Sequence, residues 1–173
     1  MTNSSKLIYQ GQILQLVIDN VTLPNGKAVD LEILHHPGGA AIVALDSHNR
    51  VCLLRQFRHA AGGWIWELPA GKLETDEGPQ TTAARELAEE AGLQASHWDM
   101  LGEIIVSPGF CDEIIHLYLA RSLTAVPAQP EDDELFEVHW LPLEQALQQV
   151  HDGTLSDAKT MLGLTLAEKH ILA

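Results

Sequence analysis

The 173-residue chain carries only ten lysines and arginines against 24 aspartates and glutamates, a formal charge of −14. So little positive charge leaves no basic face for a nucleic-acid backbone, and nucleic acid is not expected as a partner. Cysteine is equally scarce. Cys52 and Cys111 both lie in apolar, strand-like contexts, which points to buried thiols in a reducing compartment rather than a disulfide framework. No apolar run is long enough to span a bilayer, so no membrane role is expected. The opening Met1-Thr2-Asn3-Ser4-Ser5-Lys6 lacks the apolar core and cleavage site of a secretory leader. These absences together predict a cytoplasmic protein. Internal repeats, low-complexity tracts and interdomain linkers are missing too, which excludes solenoids and tethered modules.

What is present suits one domain with a small appendage. Apolar residues make up 46% of the chain, and the mean hydropathy is near zero. Leu7 to Val21 alternates loosely, Pro24-Asn25-Gly26 reads as a hairpin turn, and Ala28 to His35 returns as a second strand. Residues 1–36 are therefore expected to form an antiparallel β arm ahead of a main domain at 37–173. Ala40 to Leu45 and Val51 to Leu54 read as buried core strands. Trp64 to Leu68 runs into a Pro69-Ala70-Gly71 turn. Further strands are expected at Trp98–Val106, Ile114–Ala120 and Phe136–Leu141. A short helix is expected at Pro142–Val150, and a last one, capped by Ser156-Asp157, to about Lys169. Strands on either side of a central helix, with two helices at the end, suggest a mixed sheet between helical layers.

That central helix begins at Pro79, a residue suited to a first helical position, and Gly92 supplies a left-handed stop. On it Glu86 and Glu90 stand at i and i+4 with Glu89 beside them, roughly 5–6 Å apart at Cβ. Ala83, Ala84, Leu87 and Ala91 fall on the other side, free to be buried. Neighbouring glutamates on a helix usually mark a solvated face. Here the tight Leu68-Pro69-Ala70-Gly71 turn precedes the helix and could bring a main-chain carbonyl to the same place, and crowded oxygens suit a hard divalent cation. Arg58, at the end of the Arg55-Gln56-Phe57-Arg58 run, is placed where an arginine can grip a phosphate.

The stretch from Gly71 to Leu93 resembles the Nudix hydrolase signature, G-x5-E-x7-R-E-U-x-E-E-x-G-U with U aliphatic. Gly71, Glu77, Arg85, Glu86, Leu87, Glu89, Glu90, Gly92 and Leu93 fill every specified position. The resemblance implies an α/β/α sandwich with a mixed sheet. It also implies metal-binding carboxylates at Glu86, Glu89 and Glu90, with the Ala70 carbonyl, and an ion pair between Glu77 and Arg85. Arg55 to Arg58, Glu67 to Gly71, Ser107-Pro108-Gly109-Phe110 and Asp133-Glu134 with Glu137-Val138 are similar to the ADP-ribose pyrophosphatase branch. Together these cover roughly residues 30 to 170.

Membership of that branch implies Mg²⁺-dependent hydrolysis of the pyrophosphate bond of ADP-ribose, to AMP and ribose 5-phosphate, or of a related nucleoside diphosphate sugar. Mn²⁺ is the alternative metal. The resemblance gives catalytic roles to Glu89 and to a base in the acidic loop, Glu134, with Asp132 and Glu131 as runners-up. It places Arg58 on phosphate or terminal ribose and Glu113 on ribose or metal. Phe110 or Trp64 would stack on the base. It implies a homodimer formed through the N-terminal arm. His35, His36, His59 and His116 have no metal-ligand spacing and read as structural. Where relatives often carry Arg-Glu near the end of the second N-terminal strand, this chain has Leu31-Glu32, which removes one expected contact to the nucleotide. The alternatives are a GDP-mannose pyrophosphatase and, in a different class, a non-catalytic nucleotide-sugar sensor. Retention of every signature carboxylate argues against the sensor.

Overall fold

Strand β4 (Gly39–Ala44) is buried at every position, and its alternate side chains serve two different cores. Ala40, Ile42 and Ala44 pack with Cys52, Tyr118 and Ala120, and with Ala83 and Leu87 of helix α1 (Pro79–Ala91). Val43, followed by Leu45, packs with Val51, Leu53, Leu68 and Leu119. That second core is closed by Ala146 and Leu147 of α2 (Leu143–His151) and by Leu164 and Ala167 of α3 (Ala158–Leu172). Successive strand residues face opposite sides, so one helix covers one face and two cover the other. The result is the α/β/α sandwich expected from the sequence.

The computed structural model describes residues 2–130 and 134–172. They form two compact units, Met1–Gly38 with Ile105–Ile115, and Gly39–Ile104 with His116–Ala173. In the larger unit β4 lies in a four-stranded sheet between β7 (Ala70–Lys72) and β9 (Ile114–Ala125), with β8 (Leu93–Ile105) beyond β9. An antiparallel sheet places β5 (Arg50–Arg58) between β6 (Gly63–Glu67) and β10 (Phe136–Pro142). Helix α3 packs unusually close to the strands at Gly163, where a Cβ would stand 2.8 Å from Leu68 Cδ1 and 3.2 Å from Val43 Cγ2. Truncation of Leu164, fully buried at this contact, is expected to cost about 2–5 kcal/mol in Leu164→Ala. Chemical denaturation measures it, and a cost below about 1 kcal/mol would mean the helix does not close this core.

The smaller unit is built on an antiparallel sheet of β1 (Thr2–Gln10), β2 (Gln15–Thr22) and β3 (Ala28–His35). The stretch expected as one strand from Leu7 is broken by a tight turn, in which the Gly11 amide donates to Leu14 O at 2.8 Å. The Pro24-Asn25-Gly26 hairpin is present, with Gly26 at φ 82° and Thr22 paired to Ala28. The Ser107–Phe110 turn belongs to this same unit. Leu34 N–H donates to Phe110 O at 2.7 Å, Asp112 N–H donates to Leu34 O at 3.2 Å, and His35 Nδ1 pairs with Asp112 Oδ2 at 2.5 Å.

Candidate active site

Helix α1 starts on Pro79 and ends where Gly92, at φ 63°, turns its amide back to Ala88 O. Its glutamates do not all stand opposite the apolar side chains, as the sequence suggested. Glu86 and Glu90 are 8% and 2% exposed and lie on the buried side with Ala83 and Leu87, whereas Ala84, expected to be inside, is exposed. The reason is helical geometry. Positions 82–83, 86–87 and 90 make one continuous stripe, and that whole stripe faces β4 and β7.

A carboxylate buried in this way needs partners. Glu90 Oε2 accepts the Ala70 N–H at 2.8 Å, but Glu90 Oε1 is buried with no hydrogen-bond partner among the described residues. Burial drives the Glu90 carboxyl well above the usual range. The Ala70 amide opposes that shift, and the charges of Glu86 and Glu134 add to it. Glu86 is raised for the same first reason, burial, with Arg85 opposing and Glu89 and Glu134 adding. Cys52, fully buried, is pushed up to about 12 by burial and by the charge of Glu90, so it is an inert thiol. Cys111 is only partly buried.

Arg85 is the hub of the outer side. It donates through Nε and Nη2 to Glu77, at 3.1 and 3.0 Å, and through Nη1 to Glu86 at 2.8 Å and Glu89 at 3.0 Å. The Glu77–Arg85 ion pair implied by the resemblance is therefore present, and Thr82 Oγ1 adds a 2.8 Å hydrogen bond to Glu77. Gly71 makes a cradle for Glu86, because a Cβ there would fall on the Glu86 carboxylate group itself.

The donor set fits a hard divalent cation. Two buried carboxylates whose charged forms are disfavoured, one with an orphaned oxygen, stand beside a main-chain turn and a glycine that keeps the space open. Such a set is stabilised by a cation with oxygen preference. Among the described residues no three His, Cys, Asp or Glu side chains already stand in ligating geometry, and Arg85 bridges Glu86 and Glu89.

The profile of the NUDIX domain family matches residues 35–162. The chain belongs to that family. It is 40% identical over 161 residues to the ADP-ribose pyrophosphatase of Bacillus subtilis (strain 168), spanning 92% of this chain and 87% of the relative. It is 38% identical over 165 residues to the methanol dehydrogenase activator of Bacillus methanolicus, spanning 94% and 89%. A crystal structure of an ADP compounds hydrolase superposes with a TM-score of 0.85, over 99% of this chain and 94% of that one. At 16% identity that likeness is one of fold.

In this Nudix chain Arg58 does not stand as a free phosphate ligand. Its Nε and Nη2 donate to Glu67 Oε1 and Oε2 at 2.8 and 3.1 Å. The hydrogen bonds to Glu67, against burial, and then the charges of Glu90 and Glu134 hold Arg58 firmly protonated. Glu134 thus lies within electrostatic reach of Arg58, Glu86 and Glu90. It precedes β10, where Leu135 O accepts the Phe57 amide at 2.9 Å. Asp132 and Glu131 lie outside the described residues.

Trp64 is exposed and packs edge-on to Phe57, ring centroids 5.9 Å apart. Phe110 and Glu113 belong to the smaller unit, where Phe110 is exposed and Glu113 pairs with His36 at 3.4 Å. His35 and His36 thus each hold an acid, as structural histidines do, and His116 pairs with Glu103 at 3.1 Å. His59 sits in a short 3₁₀ turn, His59–Ala61. A cavity of about 590 Å³ lies elsewhere in the larger unit, lined by Asp46, Asn49, His97, Arg121 and Ile171 among others. It includes none of the signature carboxylates.

Sequence reasoning gave Glu67 no role of its own. It is 1% exposed and takes both Arg58 and Lys159. Only the partnership across 92 residues reveals it, and no local pattern carries that.

Proposed function

We propose that this Nudix protein hydrolyses the pyrophosphate bond of ADP-ribose or a related nucleoside diphosphate sugar, using Mg²⁺ with Mn²⁺ as the alternative. The observation that carries the reading is the buried Glu86–Glu90 pair with its orphaned oxygen, in a chain 40% identical to an ADP-ribose pyrophosphatase. Water adds across the P–O–P bridge. One phosphate takes the hydroxyl and the other leaves with the bridging oxygen, so ADP-ribose gives AMP and ribose 5-phosphate. A bound divalent cation would neutralise pyrophosphate charge and acidify the attacking water. The chain itself contributes charge and position. Glu134 takes the proton from water, Arg58 faces phosphate, and Arg85 holds Glu86 and Glu89 in register. Glu113, and Phe110 or Trp64, are proposed as further substrate contacts.

The deciding experiment incubates the protein with Mg²⁺ and ADP-ribose, GDP-mannose, diadenosine polyphosphate or a nucleoside triphosphate. A coupled phosphatase counts the phosphomonoesters released. Preference for ADP-ribose is expected. Preference for GDP-mannose would reassign the pocket while keeping the chemistry, and silence with tight nucleotide-sugar binding would make the protein a sensor. Glu134→Gln is expected to lower kcat by about 10²–10⁴ with KM little changed. A wild-type kcat would move the base to another acid of that loop.

The N-terminal arm, residues 1–36, is assigned to homodimerisation, with the Nudix domain at 37–173 and a cytoplasmic location. Supporting the arm's role, β1 is exposed along its whole length and carries Leu7, Ile8 and Tyr9 at 46–61% exposure. An apolar edge strand is a template for pairing with another chain. Light scattering should give twice 19.0 kDa for the full chain and a monomer once residues 2–10 are deleted. A full chain that is monomeric at micromolar concentration would remove the assignment.

A further inference from the structure

The first turn of α3 is joined to the turn that bears the site by a chain of charged and neutral hydrogen bonds. Asp157 caps the helix, its Oδ2 accepting the Thr160 N–H at 3.0 Å and the Thr160 hydroxyl at 2.6 Å. That hydroxyl, fully buried, accepts the Leu68 N–H at 2.9 Å. Lys159 Nζ bridges Asp157 Oδ1 at 3.1 Å and Glu67 Oε2 at 2.5 Å, and Glu67 in turn holds Arg58. Glu67 and Leu68 are followed directly by Pro69, whose carbonyl accepts the Ile42 amide at 2.9 Å, and by Ala70, whose amide holds Glu90.

We propose that Lys159 and Thr160 are positioning residues for hydrolysis: anchored on α3, they fix residues 67–70 so that Ala70 N–H holds Glu90 and Glu67 holds Arg58. Neither residue touches the signature carboxylates. They act through the turn. The physical case rests on accounting for buried groups. Glu67 is a buried carboxylate with two cations, and burial would raise its pKa, yet Arg58 and Lys159 together hold it below the usual range. Removing Lys159 leaves one counter-charge to serve a buried anion. Removing the Thr160 hydroxyl leaves the Leu68 amide without its acceptor and releases a hydrogen bond that ties this peptide to the helix. In either case the turn gains freedom at the point where a small displacement moves both Glu90 and Arg58.

The inference rests on the metal-carboxylate reading above, so its test separates the two. Thr160→Val, of nearly equal shape, and Thr160→Ser, which keeps the hydroxyl, are compared with wild type. The first readout is amide exchange of metal-free protein. The second is Mn²⁺ affinity measured by electron paramagnetic resonance, and the third is kcat and KM with ADP-ribose. Thr160→Val is expected to speed exchange at Leu68 and Ala70 about tenfold or more, to weaken Mn²⁺ binding severalfold, and to lower kcat about tenfold with a smaller change in KM. Thr160→Ser should lie close to wild type. If Thr160→Val does not fold, Lys159→Met, which keeps the aliphatic stem, takes its place with the same expectations. A folded variant with wild-type Ala70 exchange and Mn²⁺ affinity would overturn the positioning role while leaving the metal reading intact. Equal losses in Thr160→Ser would also overturn it. Failure of the wild type itself to bind Mn²⁺ would sink both.

Discussion

Glu90→Gln is expected to abolish turnover while leaving the metal-free protein at least as stable as wild type. The two effects have one cause. Glu90 is 2% exposed and keeps an oxygen with no hydrogen-bond partner among the described residues, so ionising it in the folded chain costs desolvation. A neutral amide of the same shape removes that cost and still offers a carbonyl to the Ala70 N–H. It also removes an anionic donor from the site proposed to hold a divalent cation, and a fall in kcat of about three orders of magnitude or more is expected.

The pH dependence of stability carries the same signal. Because burial raises the Glu90 carboxyl in the folded state, that state retains a proton which the unfolded chain has already released. Metal-free stability therefore falls as pH rises from the ordinary carboxylate range through the raised value. Glu90→Gln should flatten this slope. Glu86, raised by the same burial, leaves a residue of it. Urea unfolding across pH, with chelator present, measures both lines. A variant that turns over within tenfold of wild type would remove Glu90 from the metal set.

Gly71→Ala should be nearly as damaging to rate, for a reason that is steric rather than electrostatic. The added methyl would occupy the place of the Glu86 carboxylate. Glu86 must then leave its position, and with it the 2.8 Å bond from Arg85 Nη1. A displacement of about an ångström at a reacting centre costs on the order of 10²-fold in rate, and kcat/KM of Gly71→Ala is expected to fall at least that far. Gly78→Ala is the matched control. Gly78 has a φ of −80° and open space around its Cβ position, so it should lose no more than about 1 kcal/mol of stability through the weaker helix cap and keep its rate. Equal rates for the two alanine variants would mean that Glu86 is free to relocate without consequence.

The sequence by itself determined the parts whose physics is local. Pro79 and Gly92 delimit α1, Asn25-Gly26 turns the arm hairpin, and Asp157 caps α3, because capping and turn chemistry act within a few residues. The unbroken apolar runs Ala40 to Leu45 and Val51 to Leu54 likewise show where the core lies. The spacing of Gly71, Glu77, Arg85, Glu86, Glu89 and Glu90 was legible for the same reason. A helix and the turn before it bring those positions together without help from distant chain.

Tertiary structure alone decided which face of α1 is dry. The three glutamates share a side of the helix in any conformation, but only packing against β4 and β7 buries Glu86 and Glu90 and leaves Glu89 and Ala84 outside. Burial, not spacing, is what raises their pKa values and orphans an oxygen. Arg58 is the second case. Its place at the end of β5 was readable, but its commitment to Glu67 depends on β6 pairing beside β5 and on Lys159 arriving from α3. Hydrogen bonds across 92 residues leave no periodicity in the chain, because the energy that selects them is released only when the layers close.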